Sequence, residues 1–289
     1  MIFRSTDGVL LQQVPNSVDG QIALPWGYDL IMTDSSLTTS GRRCTVVIPC
    51  FNEAQRLPQT SFETFFLQND HFFFVFVNDG STDGTLSVLL QLKAAYPASV
   101  DVLDQLSNQG KAEAVRTGML HAIDVYASQY VGFWDADLAT PLDELPRFAG
   151  LLNNHPEIDV VLGSRVRLLG RSVKRGALRH YSGRIFATLA SLTLNLPVYD
   201  TQCGAKLFRV NPTMRRLLDI PFYSRWTFDV ELLARFLQAH ASEVRSGANN
   251  IYEEPVRKWT DVGGSKLKVQ DSFKALGDLL YIRKRYFRS

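Results

Sequence analysis

Phe72-Phe73-Phe74-Val75-Phe76-Val77 sets six apolar residues in one unbroken row. A short β-rich run of this kind reads as a buried strand. It enters Asn78-Asp79-Gly80-Ser81-Thr82-Asp83-Gly84-Thr85, a turn composition, and a helix is expected from about Leu86 to Ala95. Thr45-Val46-Val47-Ile48, ended by Pro49-Cys50-Phe51-Asn52-Glu53, reads the same way, as do Tyr130–Trp134 and Ile158–Gly163. From Cys44 to about Leu162, strands alternate with helices. That order implies a parallel sheet with right-handed crossovers, an α/β fold.

The loop after Tyr130–Trp134 is Asp135-Ala136-Asp137. Two carboxylates two residues apart at the carboxyl end of a buried strand form a compact anionic claw. Hard cations such as Mg2+ or Mn2+ take oxygen ligands, commonly one or two carboxylates plus substrate phosphates. Open α/β sheets bind ligands at this end of their strands. An Asp-x-Asp alone is equally a turn with a helix cap. Asn108-Gln109-Gly110-Lys111 starts a further helix with a lysine in its first turn. Helix N-termini favour anions, so a lysine there serves a diphosphate better than it serves the helix. Its bland alternative is a helix-surface lysine.

These blocks, taken in order with Gly163-Ser164-Arg165, Asp200-Thr201-Gln202-Cys203-Gly204-Ala205-Lys206-Leu207-Phe208, Arg225-Trp226-Thr227-Phe228-Asp229-Val230-Glu231 and Gly264-Ser265-Lys266-Leu267, resemble family 2 inverting glycosyltransferases. The narrower resemblance is to dolichyl- and polyprenyl-phosphate sugar transferases, nearest the dolichyl-phosphate β-glucosyltransferases. It runs from about Thr45 to the C-terminus. One departure is Asn78-Asp79, where that family usually has two consecutive Asp.

The resemblance implies a GT-A, Rossmann-like fold: a mostly parallel central sheet flanked by helices, with C-terminal amphipathic helices. It implies a nucleotide-sugar pocket at Pro49, Asn52 and Glu53, with Asp79 reading the base and Lys111 steadying the diphosphate. Asp137, with Asp135, is implied as metal ligand, Ala136 lies between them, and Gln202 and Lys206 stand near the reacting centre. Arg165 and Arg179 match positions that bind acceptor phosphate. A polyprenyl phosphate is already an anionic nucleophile, whereas a hydroxyl acceptor needs a positioned base. Asp229 and Glu231 are the candidate bases for that alternative, transfer to a hydroxyl of a glycan or other acceptor. Their bland readings are a helix cap and a surface pair with Arg235. UDP-glucose is the favoured donor.

Charge distribution fits an anionic acceptor better than net charge does. Lys and Arg total 31 against 29 Asp and Glu, which argues for no nucleic-acid partner. From Arg165 to Arg184 seven basic residues run without an acid, and the chain ends Arg283-Lys284-Arg285-Tyr286-Phe287-Arg288-Ser289. Such runs fit an anionic membrane surface, and 176–196 reads as a helix that either packs in the core or lies in that interface. Leu279-Leu280-Tyr281-Ile282 reads as a second surface anchor. Residues 1–20 lack a signal-peptide pattern, and no apolar segment is long enough to span. Cys44, Cys50 and Cys203 show no metal or disulfide spacing, so the expected location is cytoplasmic, peripheral on the cytosolic membrane face.

The expected organisation is an extension at 1–43, a catalytic domain at 44–260 and a basic amphipathic segment at 261–289. Two competing classes find less support. A sugar-1-phosphate nucleotidyltransferase wants a Gly-rich basic loop after the first strand, and Pro49-Cys50-Phe51-Asn52-Glu53 is neither. A non-catalytic binding module is expected to lack the Asp135/Asp137 pair.

Overall fold

β2 (Phe72–Asp79) is buried along its whole length. Its side chains alternate between two cores: Phe72, Phe74 and Phe76 enter one, Phe73, Val75 and Val77 the other. An unbroken apolar run is what a strand needs when helices cover both faces of its sheet. The computed structural model describes residues 44–174, 177–241, 247–262 and 269–287. The extension 1–43 and the motif Gly264-Ser265-Lys266-Leu267 lie outside the described residues.

Parallel to β2 run β1 (Cys44–Cys50), β3 (Val100–Gln105) and β4 (Tyr130–Trp134), joined through α1 (Gln59–Gln68), α2 (Thr85–Ala95) and α3 (Lys111–Tyr126). The chain continues with α4 (Leu145–Asn154), β5 (Val160–Ser164), β6 (Ser172–Lys174), α5 (Ala177–Leu194) and β7 (Ala205–Arg209). It ends with α6 (Pro212–Leu217), α7 (Phe228–Ala239), β8 (Ile251–Pro255), β9 (Lys258–Thr260) and α8 (Val269–Phe287). The main sheet has the order β3-β2-β1-β4-β7-β5-β8, and β6 pairs with β9 in a small ribbon. β7 is antiparallel to both β4 and β5. The sheet is otherwise parallel, as expected.

This order positions the site. The chain grows outward from β1 through β2 and β3, then returns by α3 to place β4 on the other side of β1. Ligands bind at the carboxyl ends of strands flanking such a switch. Asn52 and Glu53 follow β1 there, and Asp135 and Asp137 follow β4. Pro49 sits past the last β1–β4 partner, Val47, so its missing N–H leaves that ladder intact.

Three local expectations change. Thr140-Pro141-Leu142-Asp143-Glu144 reads as a helix start, with a cap residue, a proline at the first position and acids in the first turn. The helix begins later: Leu142–Glu144 is one 3-10 turn before α4, and the Thr140 carbonyl accepts the Trp134 indole N–H at 2.7 Å. Glu144, buried against Arg147 and the Arg257 N–H, fixes that turn. On α5, Ala187, Ala190 and Leu194 are buried, while Ile185 and Leu192 stand 65% and 62% exposed. Finally, Leu279 and Ile282 of α8 join the core shared with α5 and α7, and only Leu280 and Tyr281 of the expected anchor face outward. All described residues belong to one compact unit.

Candidate active site

The loops leaving β1 and β2 are tied to one another. Asn52, at φ 53°, accepts the Thr82 N–H on Oδ1 at 2.9 Å and donates its own N–H to Ser81 Oγ at 3.0 Å. The Glu53 N–H reaches Thr85 Oγ1 at 2.8 Å, and Asp83 accepts the Thr85 N–H at 2.9 Å. Asn52 and Glu53 thus tie two loops together and fix the rim of the crevice.

Asp79, 2% exposed, ends β2. Its Oδ1 accepts the Gln109 N–H at 2.6 Å, and its Oδ2 accepts the Gly110 N–H at 2.9 Å and the Asn108 amide at 3.0 Å. Burial pushes its pKa up, against the pull of those hydrogen bonds and of the Arg225 charge. Both Asp79 oxygens also accept from the turn that delivers Lys111, so the carboxylate expected to read the base shapes that turn as well. Asn78 serves the same wall, donating to Asp104 Oδ1 at 2.7 Å.

Lys111 is the first residue of α3, and its Nζ lies 2.5 Å from Asp135 Oδ1. It is no solvated helix lysine. Burial works against its charge, and Asp135, Asp229 and Asp137 outweigh that burial, so its pKa rises. Asp137 accepts the Ala139 N–H at 3.0 Å; burial and the neighbouring Asp135 charge raise its pKa. Ala136 is buried between the two.

Behind this pair lies a second one. Lys206, on antiparallel β7, is fully buried, with Nζ 2.6 Å from the Cys203 carbonyl and 2.7 Å from Asp229 Oδ1. The latter contact is a close ion pair outside hydrogen-bond alignment. Asp229 stands in the first turn of α7 at 5% exposure, without capping it, and burial raises its pKa despite Lys206 and Lys111. Three carboxylates against two ammoniums leave the cluster one negative charge. Glu231, in contrast, is not the surface partner of Arg235 that its spacing implied. The pair is buried, and Glu231 also holds the Tyr286 hydroxyl and the Tyr223 N–H.

After β5, Arg165 lays its fork on Asp200, with Nε 2.6 Å from Oδ2 and a second nitrogen 2.8 Å from Oδ1. This pairing drives the Arg165 pKa up and holds the Asp200 carboxyl at about 2, against the burial of both groups. Sequence reasoning missed Asp200; the signal was an acid beside an arginine-rich stretch, 35 residues away. Arg165 keeps three N–H groups not directed at Asp200. Gln202 follows Asp200 with its side-chain nitrogen buried and unpartnered, as are Ser164 Oγ and Thr201 Oγ1. Arg179 falls on α5, and its side chain lies outside the described residues. Trp226, 40% exposed, is no core residue.

The residues fit a hard divalent cation. Two neighbouring carboxylates, one with a raised pKa, are relieved by positive charge. Among the described residues no group of three or more His, Cys, Asp or Glu side chains forms a complete cage. The ion would take Asp137 and Asp135 from the protein and further oxygens from a diphosphate and water.

A mostly parallel sheet with a carboxylate–lysine cluster at its switch point and one antiparallel strand beneath it is the architecture of a GT-A glycosyltransferase. Residues 45–217 match the profile of glycosyl transferase family 2, and the chain belongs to that family. A dolichyl-phosphate beta-glucosyltransferase of Drosophila melanogaster is 35% identical over 259 residues, covering 84% of this chain and 74% of that protein. One from Trichomonas vaginalis is 32% identical over 257 residues, 85% of this chain and 72% of its own length. Among solved structures, Mycobacterium tuberculosis glucosyl-3-phosphoglycerate synthase, crystallised with Mn2+, UDP-glucose and phosphoglyceric acid, superposes with a TM-score of 0.58 at 20% identity, covering 84% of this chain and 80% of that one. This chain is therefore a glycosyltransferase similar over most of its length to dolichyl-phosphate β-glucosyltransferases.

Proposed function

We propose that this enzyme is a metal-dependent, inverting transferase that moves glucose from UDP-glucose to a polyprenyl or dolichyl phosphate, working peripherally at the cytosolic face of a membrane. The observation that carries the acceptor assignment is the state of the carboxylates. A hydroxyl acceptor needs a base. Asp229 faces Lys206, Asp135 faces Lys111, and Glu231 is closed in by Arg235, Tyr286 and the Tyr223 N–H. A phosphate acceptor needs no base. It needs cations, which the acid-free stretch from Arg165 to Arg184 supplies.

In this reading Pro49, Asn52 and Glu53 form the rim against which the nucleoside rests. A Mg2+ or Mn2+ ion at Asp137 and Asp135 would neutralise charge on the departing diphosphate. Lys111 moves from Asp135 toward the diphosphate. Gln202 turns its unpartnered amide to the sugar, and Lys206 and Asp229 hold the floor beneath it. Arg165, oriented by Asp200, and Arg179 receive the acceptor phosphate with planar guanidinium groups.

Membrane placement draws support from the outward Ile185, Leu192, Leu280 and Tyr281 beside Arg283, Lys284 and Arg285. Apolar side chains flanked by cations suit an anionic lipid surface. Among the described residues, no helix is long and apolar enough to cross a membrane.

The test is transfer of label from UDP-glucose with Mn2+, with and without polyprenyl phosphate in detergent. Label in an organic-extractable, mild-acid-labile product is the expected result. UDP release that ignores the lipid would overturn the acceptor and point to a hydroxyl, with Asp229 as its base.

A further inference from the structure

The turn between α6 and α7 is held from α8. Asp278 Oδ2 accepts from the Ser224 hydroxyl and, at 3.2 Å, from the Thr227 hydroxyl. Ser224 Oγ in turn accepts the Trp226 and Thr227 N–H groups at 3.2 and 3.0 Å. Tyr223 stacks on Tyr281 with ring centres 3.8 Å apart. Every residue flanking Arg225 is pinned, while Arg225 itself is exposed.

Its stem lies across Gly110. A Cβ on Gly110 would come within 3.1 Å of Arg225 Cδ, and the φ of 94° there also favours glycine. Gly110 immediately precedes Lys111, so Arg225 stands over the turn that delivers the diphosphate-facing lysine. Asp79 feels its charge without pairing with it, and the Asp79 oxygens serve Asn108, Gln109 and Gly110. Among the described residues the Arg225 guanidinium has no ion pair or hydrogen bond.

We propose that Arg225 is the second cation of the donor site, binding diphosphate oxygens from across Lys111, and that Asp278 is a positioning residue that holds it there. The inference rests on the nucleotide-sugar reading above. The departing UDP has a terminal phosphate charge that the donor lacks, so it carries more negative charge than one divalent ion removes, and the carboxylate cluster is already negative by one. A planar guanidinium on the rim corrects that imbalance and grips phosphate through two parallel N–H groups. The arrangement makes α8 part of the donor site, acting through the turn it holds.

Titration calorimetry with UDP and with uridine, both in Mn2+, tests this on the full chain. Arg225→Ala is expected to weaken UDP on the order of ten- to a hundredfold, the worth of a charge-assisted contact, and to leave uridine unchanged. Arg225→Lys recovers part of the loss. Asp278→Ala weakens UDP too, and adds nothing when combined with Arg225→Ala. Ser224→Ala serves the same cycle if Asp278→Ala does not fold. Equal losses for UDP and uridine would place Arg225 on the nucleoside and overturn the assignment, as would unchanged UDP affinity. Additive losses would overturn the role of Asp278. A wild-type chain that binds neither ligand refutes the nucleotide-sugar reading itself, a distinct failure.

Discussion

Gly204 and Asp135 share one space: a Cβ on Gly204 would lie 1.9 Å from Asp135 Oδ2. The Gly204 carbonyl also accepts the Asp135 N–H at 2.9 Å, so the residue that leads into β7 confines both the backbone and the side chain of Asp135. Gly204→Ala is therefore expected to push the Asp135 carboxylate off Lys111. Transfer should fall about a hundredfold, the scale of an ångström-sized displacement at a reacting centre. Steady-state rates beside a thermal melt check this, with little change in melting expected.

Asp137→Ala removes the carboxylate least committed to protein partners. UDP affinity measured in Mn2+ is expected to drop to the value found in EDTA, while the wild-type chain distinguishes the two conditions. Equal metal dependence in both chains would take Asp137 out of the ion's ligand set.

Lys206 and Asp229 are a buried pair, and breaking one partner leaves the other charge stranded. Lys206→Met is expected to destabilise by about 3–5 kcal/mol. Adding Asp229→Leu should restore much of that stability without restoring transfer. Urea titrations of the single and double variants give the comparison.

Asp200 titrates at about 2 in the folded chain against an ordinary 3.8, so its contribution is complete above 3.8 and disappears as the pH falls toward 2. The shift corresponds to roughly 2 kcal/mol at neutral pH. Asp200→Asn is expected to be less stable at pH 7 and to show a flatter acid limb. Urea midpoints between pH 7 and pH 2.5 measure both. An unchanged acid limb would mean that the Arg165 pair does not set it.

Arg179→Ala is expected to leave UDP affinity intact and to slow transfer to polyprenyl phosphate by about a hundredfold, as loss of a charged phosphate contact requires. Arg165→Ala should do the same and also lower the melting temperature, because it strands Asp200. Weaker UDP binding in Arg179→Ala would remove it from the acceptor side.

β1, β2, β4 and β5 were legible because each is a local event, a short unbroken apolar run. The carboxylates after β4 and the lysine starting α3 were legible because they too are local. β3 was not, since Val100-Asp101-Val102-Leu103-Asp104-Gln105 mixes acids with apolar residues. β7 was not, since Ala-Lys-Leu-Phe-Arg carries two cations in five residues, and only Asp229, from a later helix, makes burial of Lys206 tolerable. Asp79 looked free because nothing local shows that three donors arrive from residues 108–110. Arg225 carried no role because its relation to Gly110 exists only after α8 has pinned the turn.

The insertion of β7 between β4 and β5 bears on how this chain emerges from a ribosome. Until Ala205–Arg209 is made, β4 has β1 on one side and an open row of backbone donors and acceptors on the other. Such an edge is a template for pairing with other chains. The catalytic half-sheet thus passes through synthesis unfinished for some seventy residues, the distance from Trp134 to Ala205, and a nascent chain paused in that interval is the form most exposed to aggregation and most in need of a chaperone.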